Sequence, residues 1–535
     1  MKLFQKNSDN DSFQIETLTL SREIIMLFTV CSAQGIVQAA LAQSFLPNLV
    51  IGKSFKSQLN DTAWYPAAYG LTCGTFMLAC GRVGDLLGHK MVFVGAWFWF
   101  SLWSLIAGLS SYSGSQVFFD ICRALQGTAA AALVPSALAI LGTIYKPGSR
   151  KNFAFSLYAF GAPTGFTLGA LFSALLAQLA AWPWAFYINS IVCFVYGLMA
   201  LLSVPDLEIS SPPTREAFDY KGSFTIISGE LAHLNSKNNK VNHGIGLILL
   251  NFSWNRAPEV GWSSSQCIAP LIISLVLIVI FFRIEKKCAH PIIPVAEIDR
   301  NAAWILLIEG LGWSSFGILC YYSINFVIRL RGDSMLLAAA YFAPVPITGF
   351  AASILTSTSF SWGLNPAAVL AFSLVWFCVG DIILATMSVR QSYWLGIFWS
   401  YLLSPFGMDM SFPAGTIILS NLTAPEKQGI AASLIATIVY YSQSLGLGMA
   451  GVVEINVANG SVLKGYRGAW YLAIGLSGLG LVVGVSFALA STFGAKLGFF
   501  QRKRNSENEP AVTNLTELTE QCQPTNNNRI MRCQD

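Results

Sequence analysis

Read along its length, the chain alternates long apolar stretches with short polar breaks. A helix that crosses a bilayer needs about 20 mostly apolar residues. Stretches of that kind lie near 23–47, 62–81, 91–110, 115–143, 153–180, 184–204, 267–283, 302–328, 335–357, 366–388, 393–421, 430–456 and 468–493. A further region, 222–254, has two apolar pieces that are each too short to cross. Between them lies ELAHLNSKNNKVNH, residues 230–243. Unpaired charges at mid-bilayer cost on the order of 2.5–3.5 kcal/mol each, so this block cannot sit in lipid. With the block looped out, its flanks make one crossing. The pattern therefore predicts an all-α integral membrane chain with 14 spans.

The same pattern divides the chain. Residues 1–21 form a polar tail and 22–204 an N-terminal six-helix bundle. Residues 205–300 form a linker with two extra spans and the insertion at 230–243. Residues 301–495 form a C-terminal six-helix bundle and 496–535 a disordered polar tail. Ser156 to Gly169 in span 5 has the same length as Ser433 to Gly446 in span 13. Two six-span halves separated by two extra spans predict that offset of eight.

Composition sharpens this. Of 535 residues, 54% are apolar and only 11% charged, against roughly 25% charged in a soluble domain. Mean hydropathy is +0.56. A soluble enzyme, a disordered chain and a nucleic-acid binder are excluded. The 11 Cys residues include no Cys-x-x-Cys pair and sit in apolar runs, as at Cys31, Cys73, Cys193 and Cys378. They are expected to pack as small hydrophobes. There is no Walker loop, G-x-S-x-G or H-E-x-x-H, and His89, His233, His243 and His290 form no cluster. No enzyme activity, cofactor or metal site is expected. The N-terminus lacks an apolar leader, so the first span is expected to act as a signal-anchor.

Positive charge clusters at Lys146/Arg150/Lys151, Arg283/Lys286/Lys287 and Arg502/Lys503/Arg504. Placing both termini in the cytoplasm puts most of the Lys and Arg inside, as the positive-inside rule requires.

Three constellations carry candidate chemistry. The first is GRVGDLLGHK, residues 81–90, between spans 2 and 3. Gly81, Gly84 and Gly88 permit a tight turn, Asp85 is placed to cap span 3, and His89 and Lys90 add positive charge. The second is DICRALQGTAAA, from Asp120. Asp120, Arg123, Gln126 and Gly127 share one helix face. Arg123 is about eight residues into its span, roughly 12 Å at the helical rise, so it must face a water-filled cavity or a carboxylate. Asp120 is the nearest acid, and a purely structural pair with it is the alternative. The third is span 5, where Gly161, Gly165, Gly169, Ser173 and Ala177 recur every four residues and make a small-residue stripe for close helix packing. Pro163 should kink that helix.

These motifs resemble the major facilitator superfamily. Gly81, Asp85, Gly88 and Lys90 match its G-x-L-a-D-r-x-G-r-k loop. Arg123, Gln126 and Gly127 match R-x-x-Q-G. GFTLGA from Gly165 is similar to the antiporter motif G-P-x-x-G-G, with Phe166 and Ala170 in place of Pro and Gly. TAWYPAAYGL (62–71), WPWAFYIN (182–189) and DYKG (219–222) look like further family segments. LILLNFSWNRAP (247–258) and APTGFTLGALF (162–172) resemble the fungal aminotriazole-resistance and borate-efflux group of 14-span drug:proton antiporters. The resemblance implies the facilitator fold, two six-helix bundles plus two extra helices. It implies a cytoplasmic gate latched at Asp85 and proton coupling through Arg123. It further implies export of drug-like small molecules, aminotriazole-like compounds or borate, from the plasma membrane. Partners would be the solute, protons and membrane lipid, with the chain a monomer and no nucleic acid involved.

One position departs from that pattern. The group carries an acid and an Asn in span 1 where this chain has Gln38 and Gln43. Glutamine cannot titrate, so a proton carrier must lie elsewhere. Glu309, Asp381 and Asp409 are the embedded candidates, with Glu454 near the end of its span. Gln38 also leaves open a proton-independent uniporter or uptake carrier, and a non-transporting sensor is the remaining alternative.

Overall fold

The computed structural model describes residues 19–57, 59–145, 149–206, 242–285, 300–422 and 428–496. The tails and most of the block at 230–243 lie outside the described residues. The helices are α1 (Leu20–Ala42), α2 (Asn48–Phe55), α3 (Trp64–Leu87), α4 (His89–Leu109), α5 (Gln116–Ile144), α6 (Ser149–Leu179) and α7 (Pro183–Ser203). They continue with α8 (Asn242–Val260), α9 (Ser265–Glu285), α10 (Arg300–Asn325), α11 (Met335–Ala340), α12 (Pro344–Ser361), α13 (Pro366–Thr386), α14 (Ile397–Asn421), α15 (Gln428–Ala458) and α16 (Val462–Lys496).

Ten helices among the described residues are long and apolar enough to cross a membrane. The helices α3, α8 and α15 reach a spanning length without being among those ten, and α9 holds a shorter apolar stretch, Ser265–Phe281. Polar residues set α8 apart. In α8, Asn251, Asn255, Arg256 and Glu259 interrupt the apolar run. They face protein rather than lipid. Asn255 Nδ2 donates to Asn251 Oδ1 (2.7 Å), Ser444 Oγ bonds Asn251 Oδ1 (3.0 Å), Trp64 Nε1 donates to Glu259 Oε1 (3.0 Å), and Arg256 pairs with Glu259. A polar helix is tolerated at membrane depth where neighbours satisfy it.

The packing repeats. In the first half α1 packs on α6 and α3 on α5, and in the second α10 packs on α15 and α12 on α14. These are equivalent pairs under an offset of eight spans. The repeat reaches single residues. A methyl group added at Gly169 of α6 would run into the backbone at Ala39 of α1, and one added at Gly446 of α15 would meet the Ser314 backbone of α10. The halves then meet at two seams, α3 against α15 and α6 against α12.

The stripe on α6 explains the first of these pairs. Gly161 faces Cys31 O and Gly35 N, Gly165 faces Gly35, and Gly169 faces Ala39, one turn per step. Without side chains there, the two backbones approach closely, which is how helices associate where no water drives them together. Pro163 lies within α6 and turns away from the stripe, toward Gly349 of α12. The end of the first half is filled by rings, with Phe119 packed against Phe55, Trp182 and Phe186 at centroid separations of 5.4–5.7 Å.

Gly165→Val should prevent the α1·α6 approach. Overpacking of this kind costs about 1–3 kcal/mol or more. Thermal unfolding of the detergent-solubilised protein should show a clear drop in melting temperature. Gly95→Ala is the control, because a methyl group there meets nothing within 4 Å; a drop of the same size in both variants would contradict the packing role.

Candidate functional site

The turn at residues 81–90 is tighter than a ten-residue connection. Helix α3 runs on to Leu87, Gly88 alone breaks the path at φ +93°, and α4 begins at His89. A positive φ of that size favours glycine. Asp85 therefore lies in the last turn of α3 and does not cap α4, whose N-cap is Gly88 without a side-chain bond. Its carboxylate lies 3.2 Å from His89 Nε2 and 3.7 Å from Arg82 Nη1. Lys90 pairs with Asp206 at 2.8 Å, and its hydrogen bond together with its positive charge holds that carboxyl below the usual range. Gly81 faces the other half: an added methyl group would sit 3.1 Å from Ser433 Oγ of α15.

Arg123 is fully buried, and its guanidinium bonds neutral groups. Nε donates to Tyr65 O (3.1 Å), Nη1 to Gln126 Oε1 (2.7 Å), and Nη2 to Ala40 O (2.8 Å) and Ser44 Oγ (3.2 Å). It also lies over the Tyr69 ring at 4.8 Å. Ala40 is in the last turn of α1, where carbonyls lack helical partners and the helix dipole is negative. That terminus supplies the counter-charge expected of a carboxylate. Asp120 makes no hydrogen bond to the guanidinium, and its Oδ1 has no partner. Gln126 Nε2 passes the connection on to Ser104 Oγ (2.8 Å), which also accepts from Asn189 Nδ2 (3.0 Å). Gly127 admits α3, since a side chain there would strike Thr72 and the Tyr69 carbonyl. Arg123, Gln126 and Gly127 thus clamp α1, α3, α4 and, through Ser104, α7 around α5.

The second-half acids are separate from one another. Glu309 accepts from Trp313 Nε1 (3.0 Å) through Oε2, and its Oε1 is buried without a partner. Asp381 accepts from Ser315 Oγ, and its Oδ1 is likewise unpaired. Glu454 accepts from Tyr322 OH (2.8 Å). Asp409 Oδ2 is buried and unpaired at the α6·α12 seam, beside Gly349.

A cavity lies between the halves. Gln38, Ala162, Phe166, Phe316, Phe342, Val345, Tyr401, Ser404 and Met408 are among its walls, drawn from α1, α6, α10, α12 and α14 and the α11–α12 junction. The room left for solvent is about 20 Å³, enough for one water. The walls carry no acid, and Gln38 Oε1 is buried with no hydrogen-bond partner. On one side the cavity is closed where Asn48 Nδ2 donates to Asn325 Oδ1 (3.1 Å) and Thr62 Oγ1 bonds Tyr321 OH (2.9 Å). Phe45 links this closure to the wall, standing 6.4 Å from Tyr321 and 5.9 Å from Phe166. The α3·α15 seam is also shut, with Gly74 so close to Tyr441 that an added methyl group would lie 2.6 Å from its backbone nitrogen.

Sequence reasoning named Gln38 only as a residue unable to titrate, and it missed the ring walls and the Asn48/Thr62/Tyr321/Asn325 closure. Asn325 gave a legible signal, a lone amide inside an apolar span. The rings gave none, because their role depends on five helices meeting.

The Major Facilitator Superfamily profile matches residues 26–447. The chain is 46% identical to the "Low affinity ammonium transporter" of Saccharomyces cerevisiae, over 87% of this chain and 88% of that one. It is 41% identical to the "Efflux pump terJ" of Aspergillus terreus, over 88% and 89%. It is 37% identical to the "Aminotriazole resistance protein" of Saccharomyces cerevisiae, over 86% and 83%. Among solved structures, a peptide transporter of the POT type in complex with sulfate superposes with TM-score 0.61 at 14% identity, over 87% of this chain and 94% of that one.

Arg123→Lys should not rescue the clamp, because one ammonium cannot span acceptors on α1, α3 and α5. Each buried acceptor left unpaired costs about 1–3 kcal/mol. Arg123→Lys and Arg123→Ala should both lower the melting temperature by several degrees. Unchanged melting with lost transport would return Arg123 to a direct transport role.

Proposed function

Because the chain belongs to the major facilitator superfamily, and so is a membrane transporter rather than an enzyme, we propose that it carries small cationic solutes of the ammonium class by alternating access. The observation that carries this is the central cavity. It has the volume of one water, an orphan acceptor in Gln38 Oε1, the rings of Phe166, Phe316, Phe342 and Tyr401, and no acid in its walls. An unsatisfied acceptor calls for a hydrogen-bond donor, and aromatic faces attract a small cation. The ammonium transporter at 46% identity supports the same solute class.

In this reading fourteen helices cross the membrane, α1 and α3–α10 together with α12–α16. Two six-helix bundles, 22–204 and 301–495, rock about the α3·α15 and α6·α12 seams. The Lys/Arg bias supports a cytoplasmic Asp85 end and an outer Asn48 end, and the membrane in this reading is the plasma membrane. The Asn48–Asn325 and Thr62–Tyr321 bonds form the outer gate, and the turn at Asp85 belongs to the inner one. With Gln38 neutral, the solute moves down its own electrochemical gradient.

The second reading is proton-coupled export of drug-like molecules. The efflux-pump and aminotriazole-resistance relatives favour it, as do the unpaired carboxylate oxygens of Glu309, Asp381 and Asp409, one of which would then carry the proton.

Purified protein in liposomes should take up labelled methylammonium, and Gln38→Leu should reduce uptake about tenfold, the loss of one hydrogen bond to a charged solute. Uptake should be indifferent to a protonophore at fixed membrane potential. Accumulation driven by an imposed pH gradient and collapsed by the protonophore would move the assignment to the second reading.

A further inference from the structure

Asp409 sits between two prolines of α14, Pro405 and Pro413. Its backbone carbonyl accepts from Thr356 Oγ1 of α12 (3.3 Å), but its Oδ2 is buried with no partner. It meets both halves at one point. A methyl group added at Gly349 of α12 would lie 2.7 Å from Pro163 Cγ of α6 and 2.8 Å from Asp409 Oδ2. Each of these three residues is next to a wall of the central cavity. Ala162 precedes Pro163, Met408 precedes Asp409, and Val345 is one turn before Gly349. Helices α12 and α14 both run from the Asn48 end toward the Asp85 end, so Asp409 lies just beyond the cavity floor on the Asp85 side. Among the described residues lining the cavity, Gln38 Oε1 is the fully buried oxygen without a partner, and it and Asp409 Oδ2 are both acceptors.

We propose that Asp409 forms a second, inner cation subsite, closed in this conformation by the α6·α12 seam. This rests on the cation reading given above. When the seam parts, the carboxylate meets the cavity and takes the cation from Gln38, its oxygens accepting N–H bonds that the amide shares at the centre. Gly349 is the residue that leaves room for it. A carboxylate in this place holds a cation more strongly than the neutral amide, so the subsite governs binding from the Asp85 face and leaves binding from the Asn48 face largely untouched.

The test is methylammonium flux in right-side-out and inside-out membrane vesicles, giving a KM from each face. Asp409→Asn should raise the KM from the Asp85 face relative to that from the Asn48 face about tenfold, the scale of one charge-assisted hydrogen bond. Asp409→Glu should keep the wild-type ratio. Gly349→Ala, which puts a methyl group between Pro163 and the carboxylate, should shift the ratio in the same direction, and it serves if Asp409→Asn does not reach the membrane. A ratio unchanged in Asp409→Asn or Gly349→Ala overturns the subsite while leaving the cation reading intact. Wild-type vesicles that move no methylammonium from either face overturn the cation reading and the subsite with it.

Discussion

Inside a membrane there is no water to complete an unfinished hydrogen bond, and this chain is organised around that constraint. Most embedded hydroxyls give their proton to a carbonyl one turn back on their own helix, as Thr29 does to Ile25, Ser253 to Leu249 and Ser359 to Leu355. Such residues behave toward the bilayer as apolar ones. Other embedded polar groups bond from helix to helix. They hold α8 against α15, they clamp the first half through Arg123, and they close the bundle at Asn48 and Thr62. Some buried acceptors stay unpaired, among them Gln38, Asp120, Glu309, Asp381 and Asp409; in the proposed cation reading, Gln38 beside the cavity and Asp409 just beyond it mark the solute's line.

The same economy governs the contact between halves. Neither seam depends on a described salt bridge. At α3·α15, Gly70 and Gly74 lie against Tyr440 and Tyr441, and Ser444 Oγ reaches across to Ala67 O at 2.9 Å. At α6·α12, Pro163 lies against Gly349 and Phe160 against Phe350, with ring centroids 5.6 Å apart. Smooth surfaces of small residues and rings can part and close again without leaving a charge exposed to lipid. Close packing also runs within each half, at α1·α6 and α10·α15 and in the Arg123 network. Under the proposed alternating access, lobes that keep these contacts while charge-free seams part are what rocking requires.

Much of this was legible in the residues. Helix positions follow from apolar run length, and a close helix contact on α6 from a small residue every fourth position, though not that α1 is the partner. The repeat follows from matched spacing between Ser156–Gly169 and Ser433–Gly446. Illegible was whatever depends on backbone groups or on distant helices. Arg123 demanded a counter-charge, and the sequence offered Asp120, but the guanidinium's hydrogen bonds go to Gln126, Ser44 and backbone carbonyls of α1 and α3, which every sequence carries and none displays. Asp85 was placed as a cap because a turn was drawn around three glycines, whereas one residue, Gly88, makes the break. The cavity joins α1 to α14 across more than three hundred residues, and no local pattern announces that Gln38 and Ser404 share a space.

The central claim, two lobes that open alternately at opposite ends, can be measured by electron–electron distance spectroscopy. One spin-label pair would sit at Ser113 and Arg390 on the Asn48 end, and another at Leu87 and Ser361 on the Asp85 end. All four positions are exposed. The account predicts two distance populations in each pair, with the longer one at either end gaining weight as the longer one at the other loses it when solute is titrated in. Both ends lengthening together, or neither changing, would contradict it.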